Sequence, residues 1–419
     1  MNMKQMIAAV RPAGLSSDMP GLTERGVWTM CHRNRLLAPL ALLFFFVPVV
    51  AYGGAPVPKP DVYKFGAVLI LSGGSATVGE NMQKGSECVI EDINGAGGIN
   101  GVPMKVIYED NKARAQEAVD AMNKLISVDK VPATIMVSSP GVLATAPIAT
   151  REHILMLNPG GQSPNLIGAS PYLFSNIVNL REEVTVVLEY LRSKGFSRLA
   201  LYGQNDDFGH DSDKFIKPLW EKMGGTYVGA EFHDIEVIDH SSVIAELRTW
   251  KPDSIYMPSG GRAMATFIKQ VGEQGLKVQI ASYGVMQTGD TVAIAGKYAE
   301  GAVIGAQKQE YDPVKNPMAK KFLDTYHRKY GAAMPNYYAG LTYDAVSILK
   351  NAIEWTIKQG RPYNGDALRD AILAIRSFDG TSGKTIFRDD GTSSRAINIL
   401  QIKDGKFQVI GTVEARPGK

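Results

Sequence analysis

The sequence predicts an α/β protein made of two doubly wound, Rossmann-like domains. Three observations lead there. From Pro60 onward, short apolar runs of strand length alternate with stretches of helical periodicity. The first such run is apolar throughout rather than alternating, as in parallel strands covered on both faces. The alternation also restarts near residue 180, so the same series is read twice.

Residues 65–71 (FGAVLIL) are the first strand, and 80–94 a helix that Gly95 stops. Residues 104–108 are the next strand. In the helix 113–128, Ala118, Met122, Leu125 and Ile126 share one stripe. A strand at 133–137, a helix at 142–152 and a strand at 154–157 complete the first series. The second has a helix at 182–194, a strand at 198–202 and a helix at 211–223. Strands at 226–232, 253–257 and 278–282 follow, with helices between. Three helices then come in succession at 317–330, 336–358 and 366–376. The middle one carries Tyr338, Leu341, Tyr343, Ile348, Leu349 and Trp355, dense enough to be buried. Strands at 395–403 and 406–413 flank Asp404 and Gly405, a hairpin turn.

A chain of 419 residues is too long for one ordinary core and suits two domains plus an export segment. Residues 36–51 (LLAPLALLFFFVPVVA) follow His32, Arg33 and Arg35, a positive region before a short apolar one. The run is shorter than a spanning helix needs, and Pro39 and Pro48 interrupt it. Residues 1–55 are therefore expected to be an upstream extension plus signal peptide, with Met30 the natural start and cleavage after Ala51 or Ala55. Five basic and two acidic groups in this segment account for the net charge of +3, which leaves the remainder balanced. A neutral body without a Lys/Arg run argues against nucleic acid or anionic lipid as partner. Of the two cysteines, Cys31 departs with the leader, so Cys88 has no partner and reads as a small buried hydrophobe.

No catalytic constellation is visible. The glycines from Gly95 to Gly101 follow a helix, whereas a phosphate loop follows a strand. GxxxxGK and GxSxG motifs are missing. His153, His210, His233, His240 and His327 form no zinc pattern, and Asp389, Asp390 and Gly391 read as a turn rather than a calcium loop. Asp206 and Asp207 read as a solvated turn. No cofactor or metal is expected, and a monomer is the expected state.

Open parallel sheets bind ligands beyond the carboxyl ends of their strands. Five turns there stand out. Ser138 and Ser139 precede Pro140, a helix start whose free N–H groups suit a carboxylate. Gly160 and Gly161 are expected to expose backbone amides beside Gln162. Phe208 sits at a loop tip, Gly260 and Arg262 open a helix, and Tyr283 ends a strand. Arg262 is a candidate partner for an anion.

The chain resembles the leucine/isoleucine/valine-binding family of periplasmic binding proteins that serve ABC importers, over roughly Tyr63 to Val413. The resemblance rests on Leu71, Ser72, Gly73 and Gly79; on Glu91 to Asn94 with Gly97 to Gly101; on Ser138 and Ser139; on Ile154 to Pro159; on Asp207, Phe208 and Gly209; and on Tyr343, Asp344 and Ala345. It implies a type I fold: two lobes, a three-crossover hinge and a ligand cleft between them. The crossovers are placed near Leu180, Glu310 and Ser382. Lobe one then comprises 62–180 and 311–382, and lobe two 181–310 and 383–415. It also implies a periplasmic location and an inner-membrane ABC permease as partner. The family's carboxylate-binding serine falls on Ser139, and its ligand-touching loop positions on Gly160 and Gln162. Its lobe-two tyrosines fall on Phe208 and near Gly260, its ammonium-binding acid on Tyr283, and its lobe-one aromatic on Val78. A buried ammonium without an acidic partner costs several kcal/mol, roughly. Hence the expected ligand is an organic acid without an α-amino group, such as an aromatic carboxylate. A branched-chain or other amino acid, and a ligand-sensing role, are the alternatives.

Overall fold

The computed structural model describes residues 59–287 and 290–414. The expected leader and its cleavage points lie outside the described residues, as does Cys31.

The first half runs β1 (Tyr63–Leu69), α1 (Ala76–Gly95), β2 (Met104–Asp110), α2 (Ala115–Ser127), β3 (Ala133–Met136), α3 (Ser139–Glu152), β4 (Leu155–Asn158) and β5 (Leu173–Ser175). Its five strands form one parallel sheet in the order β2-β1-β3-β4-β5. Burial is complete along most of β1 and all of β3 and β4, as the continuous apolar runs predict.

The chain then continues through α4 (Leu180–Ser193), β6 (Arg198–Gln204), α5 (Asp207–Lys222), β7 (Thr226–His233), α6 (Ser241–Trp250), β8 (Ser254–Tyr256), α7 (Gly261–Glu273), β9 (Gln279–Tyr283), α8 (Asp290–Ala295) and β10 (Val303–Gln307). Next come α9 (Pro317–Tyr330), α10 (Tyr337–Lys358) and α11 (Gly365–Ile375). Last are β11 (Ser377–Gly380), β12 (Gly383–Phe387), β13 (Ser393–Ser394), β14 (Ile397–Lys403) and β15 (Lys406–Val413). The second sheet has seven strands, ordered β15-β14-β10-β9-β8-β6-β7. Its last two are antiparallel and turn at Asp404 and Gly405, both at positive φ.

The chain passes between the sheets three times. After β5 it enters α4, which packs on β9, β10 and β14. After β10 it returns, and α9 and α10 pack on α1. The third passage differs from the expected Ser382. Strand β12 pairs with β11, the Phe387 ring stacks edge-on against Phe174 at 5.6 Å, and Ser175 N–H donates to Gly391 O at 2.8 Å. Residues 383–394 thus stay with the first sheet, and the chain rejoins the second only at Ile397. The short β-strands responsible carry too few residues to show a period.

Two glycines let helices approach their sheets closely. A Cβ on Gly79 would lie 1.9 Å from Ile70 O, and one on Gly209 would lie 1.9 Å from Gln204 O. Each sits in the first turn of the helix after the first strand of its series, so α1 and α5 both start against the strand end they follow.

Candidate ligand cleft

The strand ends of the two sheets face one another across a cavity of about 600 Å³, part of it open to solvent. From the first sheet come Ile70, Ser75, Val78 and Met82 around the start of α1, Ala113 ahead of α2, Val137 to Pro140 between β3 and α3, and Gly160 and Gln162 after β4. From the second come Gln204, Asp206 and Phe208 between β6 and α5, Ile235 after β7, Gly260 after β8, and Tyr283 and Val285 at the end of β9. Tyr338, from the first turn of α10, completes the lining.

Of the nine candidates, Val78, Ser138, Ser139, Gly160, Gln162, Phe208, Gly260 and Tyr283 line this cavity. Arg262 does not. It is exposed, one residue into α7, and is absent from the lining. The glycine amides also differ from expectation. Gly160 N–H and Gly161 N–H both donate to Asn158 Oδ1, at 3.1 and 2.6 Å, and are not free for a ligand.

Ser138 and Ser139 divide their work. Ser138 caps α3, its Oγ accepting from Gly141 N–H at 3.2 Å. Its backbone sits at φ 70°, a region a non-glycine residue occupies only under strain. Ser139 is buried, and its Oγ accepts two backbone bonds, from Gln162 N–H at 3.1 Å and Ser163 N–H at 3.0 Å. A hydroxyl has two acceptor lone pairs and one proton. With both lone pairs engaged, this hydroxyl faces the cavity as a donor. The Tyr283 phenol, pushed well above its ordinary range by burial, is a second neutral donor, and its ring lies 5.2 Å from that of Phe208.

Asp206 is the residue sequence reasoning missed. It is no solvated turn. Its side chain caps α5 by accepting from Gly209 N–H at 3.0 Å, and takes a 2.6 Å bond from Gln204 Nε2. Burial raises its carboxyl above the usual range. The signal was present, since an aspartate two residues before Phe208 and three before Gly209 is a helix cap, and a capping group at a strand end faces the cleft. Tyr338 was not legible as a site residue, because only the second passage of the chain brings α10 here.

Across the mouth, Gly74 N–H donates to Glu236 Oε1 at 3.0 Å. Deeper, Ser163 Oγ donates to Asp211 Oδ2 at 2.8 Å, with both residues buried.

The family described as periplasmic binding protein matches residues 62–406. This chain belongs to the periplasmic binding protein family. Among its relatives is a Leu/Ile/Val-binding protein homolog of Brucella melitensis, 22% identical over 88% of this chain and 98% of that one. Solved structures of similar fold include a branched-chain amino acid transporter substrate-binding protein of Streptococcus pneumoniae in complex with isoleucine. It has a TM-score of 0.75 and 23% identity, over 84% of this chain and 99% of that one. A solute-binding protein of an ABC transporter from R. palustris, in complex with benzoate, also has a TM-score of 0.75, with 19% identity over 85% and 98%. In the periplasmic binding protein described here, the cavity therefore lies at the ends of the strands of two parallel series, and among the described residues its lining carries no Lys or Arg.

Proposed function

We propose that this periplasmic binding protein captures a small organic acid, such as an aromatic carboxylate, and delivers it to an ABC importer. The observation that carries the reading is Ser139. Its hydroxyl accepts from Gln162 and Ser163 and so has a proton to give a ligand acceptor at the start of α3. Ile70, Val78, Met82, Phe208 and Tyr283 offer apolar and aromatic surface for the body of such a solute. The lobes hold the solute between them by hinge closure, and contacts across the mouth, such as Gly74 to Glu236, favour the closed shape a permease reads. Export places the protein in the periplasm. The role is binding, and the solute leaves unchanged.

A second reading has an observation of its own. Asp206 brings a carboxylate to the cavity wall and offers an ammonium the acidic partner that the phenol of Tyr283 does not. On that reading the solute is an amino acid such as isoleucine.

Titration calorimetry with benzoate and with leucine separates the two. Benzoate binding with leucine inert is the expected result. Tight leucine binding beside inert benzoate assigns the cavity to amino acids and gives Asp206 the ammonium.

A further inference from the structure

Behind the cavity wall, on the first turn of α4, lies a carboxyl with no contact to the cavity itself. Glu183 is wholly buried. It accepts backbone bonds from Gln307 N–H at 2.9 Å and Gly284 N–H at 3.4 Å, and the Gln162 side chain, whose Nε2 donates to Val178 O at 3.0 Å, lies beside it. Gly284 directly follows Tyr283, and Tyr283 and Gln162 both line the cavity. Gln307 ends β10, where the chain crosses back to the first sheet, and its Oε1 accepts from Val178 N–H at 3.0 Å on the first crossing. One side chain therefore ties a wall from each sheet to two of the crossings.

The titratable groups facing it are Glu182 on its own turn, Tyr256 from β8, Tyr283 from β9, and Tyr337 and Tyr338 from α10. Burial keeps all four phenols neutral, and none of these groups is a cation that could balance a negative charge. Two buried polar atoms beside the cluster, Gln162 Oε1 and Tyr337 Oη, have no hydrogen-bond partner. A protonated carboxyl has an O–H to give an acceptor such as Gln162 Oε1, whereas a carboxylate has none.

We propose that Glu183 works as a neutral acid, a positioning residue that sets Gln162 and the Tyr283–Gly284 wall, and that an anionic ligand enters this cavity together with a proton on this carboxyl. The anionic part rests on the organic-acid reading above. Desolvation pushes the carboxyl up to about 7, against the Gln307 and Gly284 backbone bonds and the Gln162 amide N–H, which favour its charged form, and the Glu182 charge adds to the rise. Near neutrality the free protein is thus divided between the two forms. A nearby anion disfavours the carboxylate further, so by linkage the proton favours the anion. Below about pH 6 Glu183 is already protonated and affinity is flat. Above it, binding must take up a proton and affinity falls.

The experiment is calorimetry with benzoate on the exported chain at pH 6 and pH 8, in buffers of different ionisation enthalpy, for wild type and Glu183→Gln. In wild type, benzoate binds up to about tenfold more weakly at pH 8 than at pH 6 and takes up close to one proton at pH 8. Glu183→Gln keeps its pH 6 affinity at pH 8 and takes up none. Benzoate binding by wild type without proton uptake overturns the proposal, and that result needs no variant to fold. If benzoate does not bind at all, the organic-acid reading falls on its own. Glu183 is then judged by urea unfolding between pH 5 and 8. A neutral acid makes wild type lose stability relative to Glu183→Gln as pH rises, and parallel curves overturn it.

Discussion

Ser139 is buried in a way that makes its hydroxyl structural while its side chain lines the cavity. Replacing it with alanine removes an acceptor from two backbone N–H groups, those of Gln162 and Ser163. A buried donor left unpaired costs about 1–3 kcal/mol. Ser139→Ala is therefore expected to lower unfolding stability by about 2 kcal/mol and to weaken benzoate binding roughly tenfold, because the loop carrying Gln162 loses its anchor. Urea denaturation and calorimetry on the same preparation check this. Unchanged stability with unchanged affinity would place the solute's acceptor elsewhere in the cavity. Serine before proline after a buried strand made this residue legible, since the helix start and the strand end are both written locally. Glu183 was not legible. In sequence it is one of two glutamates in a helix's first turn, where the helix dipole and solvent normally account for them. Its burial comes from β9 and β10, whose positions no local pattern records.

Helices α1 and α5 are bound to the strand ends by their glycines. Gly209 is the third residue of α5, directly after Phe208, and the space for its Cβ is filled by the Gln204 backbone. Alanine there forces α5 away from β6, carrying Phe208 and the Asp206 cap with it. Overpacking of this kind costs about 1–3 kcal/mol. Gly209→Ala is expected to be destabilised by about 2 kcal/mol in urea unfolding and to bind solute more weakly, whereas Gly224→Ala, at positive φ on the surface, changes stability without touching binding. At this scale the sequence was informative where an apolar run was continuous or a helical period sustained. Strands β1, β3 and β4 and helices α9, α10 and α11 fall within a few residues of expectation. Helices α3 and α5 begin earlier than apolar periodicity indicates, at Ser139 and Asp207, because caps rather than apolar residues set their starts. Strand β5 and the β11-β12-β13 sheet were missed because their segments (LFS, SFDG, GKTIF and SS) hold no continuous apolar run.

At the scale of the whole molecule, the restart of the βα series made the two sheets legible, while the third passage depended on pairings between segments far apart in sequence. Buried histidines in the second sheet's layer give the fold a dependence on pH. His240 is almost wholly buried and both ring nitrogens are bonded, Nδ1 to Tyr202 Oη at 2.7 Å and Nε2 to Thr266 Oγ1 at 2.9 Å. Thr266 Oγ1 already donates to Arg262 O at 3.0 Å, so it accepts from Nε2–H, and Nδ1 is left to accept from the tyrosine. Neutral imidazole satisfies both bonds, whereas a second ring proton would turn the Tyr202 hydroxyl into an acceptor and take away the acceptor of its own proton. Burial, aided by nearby His233, brings the folded value down to about 4 from an ordinary 6.5. Between those values the unfolded chain binds a proton that the folded chain refuses. The stability contributed by neutral His240 is thus fully present above pH 6.5 and lost as pH falls through 4. Glu183 runs the other way, its contribution being present below its ordinary range and lost as pH rises through about 7. The two slopes overlap, so a single melting curve against pH does not resolve them. The difference between wild type and His240→Gln does: their stabilities are expected to converge as pH falls from 7 to 4, because only the wild type loses the histidine's contribution. A constant difference across that range would mean that His240 titrates alike in the folded and unfolded chains, and that the Tyr202–His240–Thr266 chain does not hold the ring neutral.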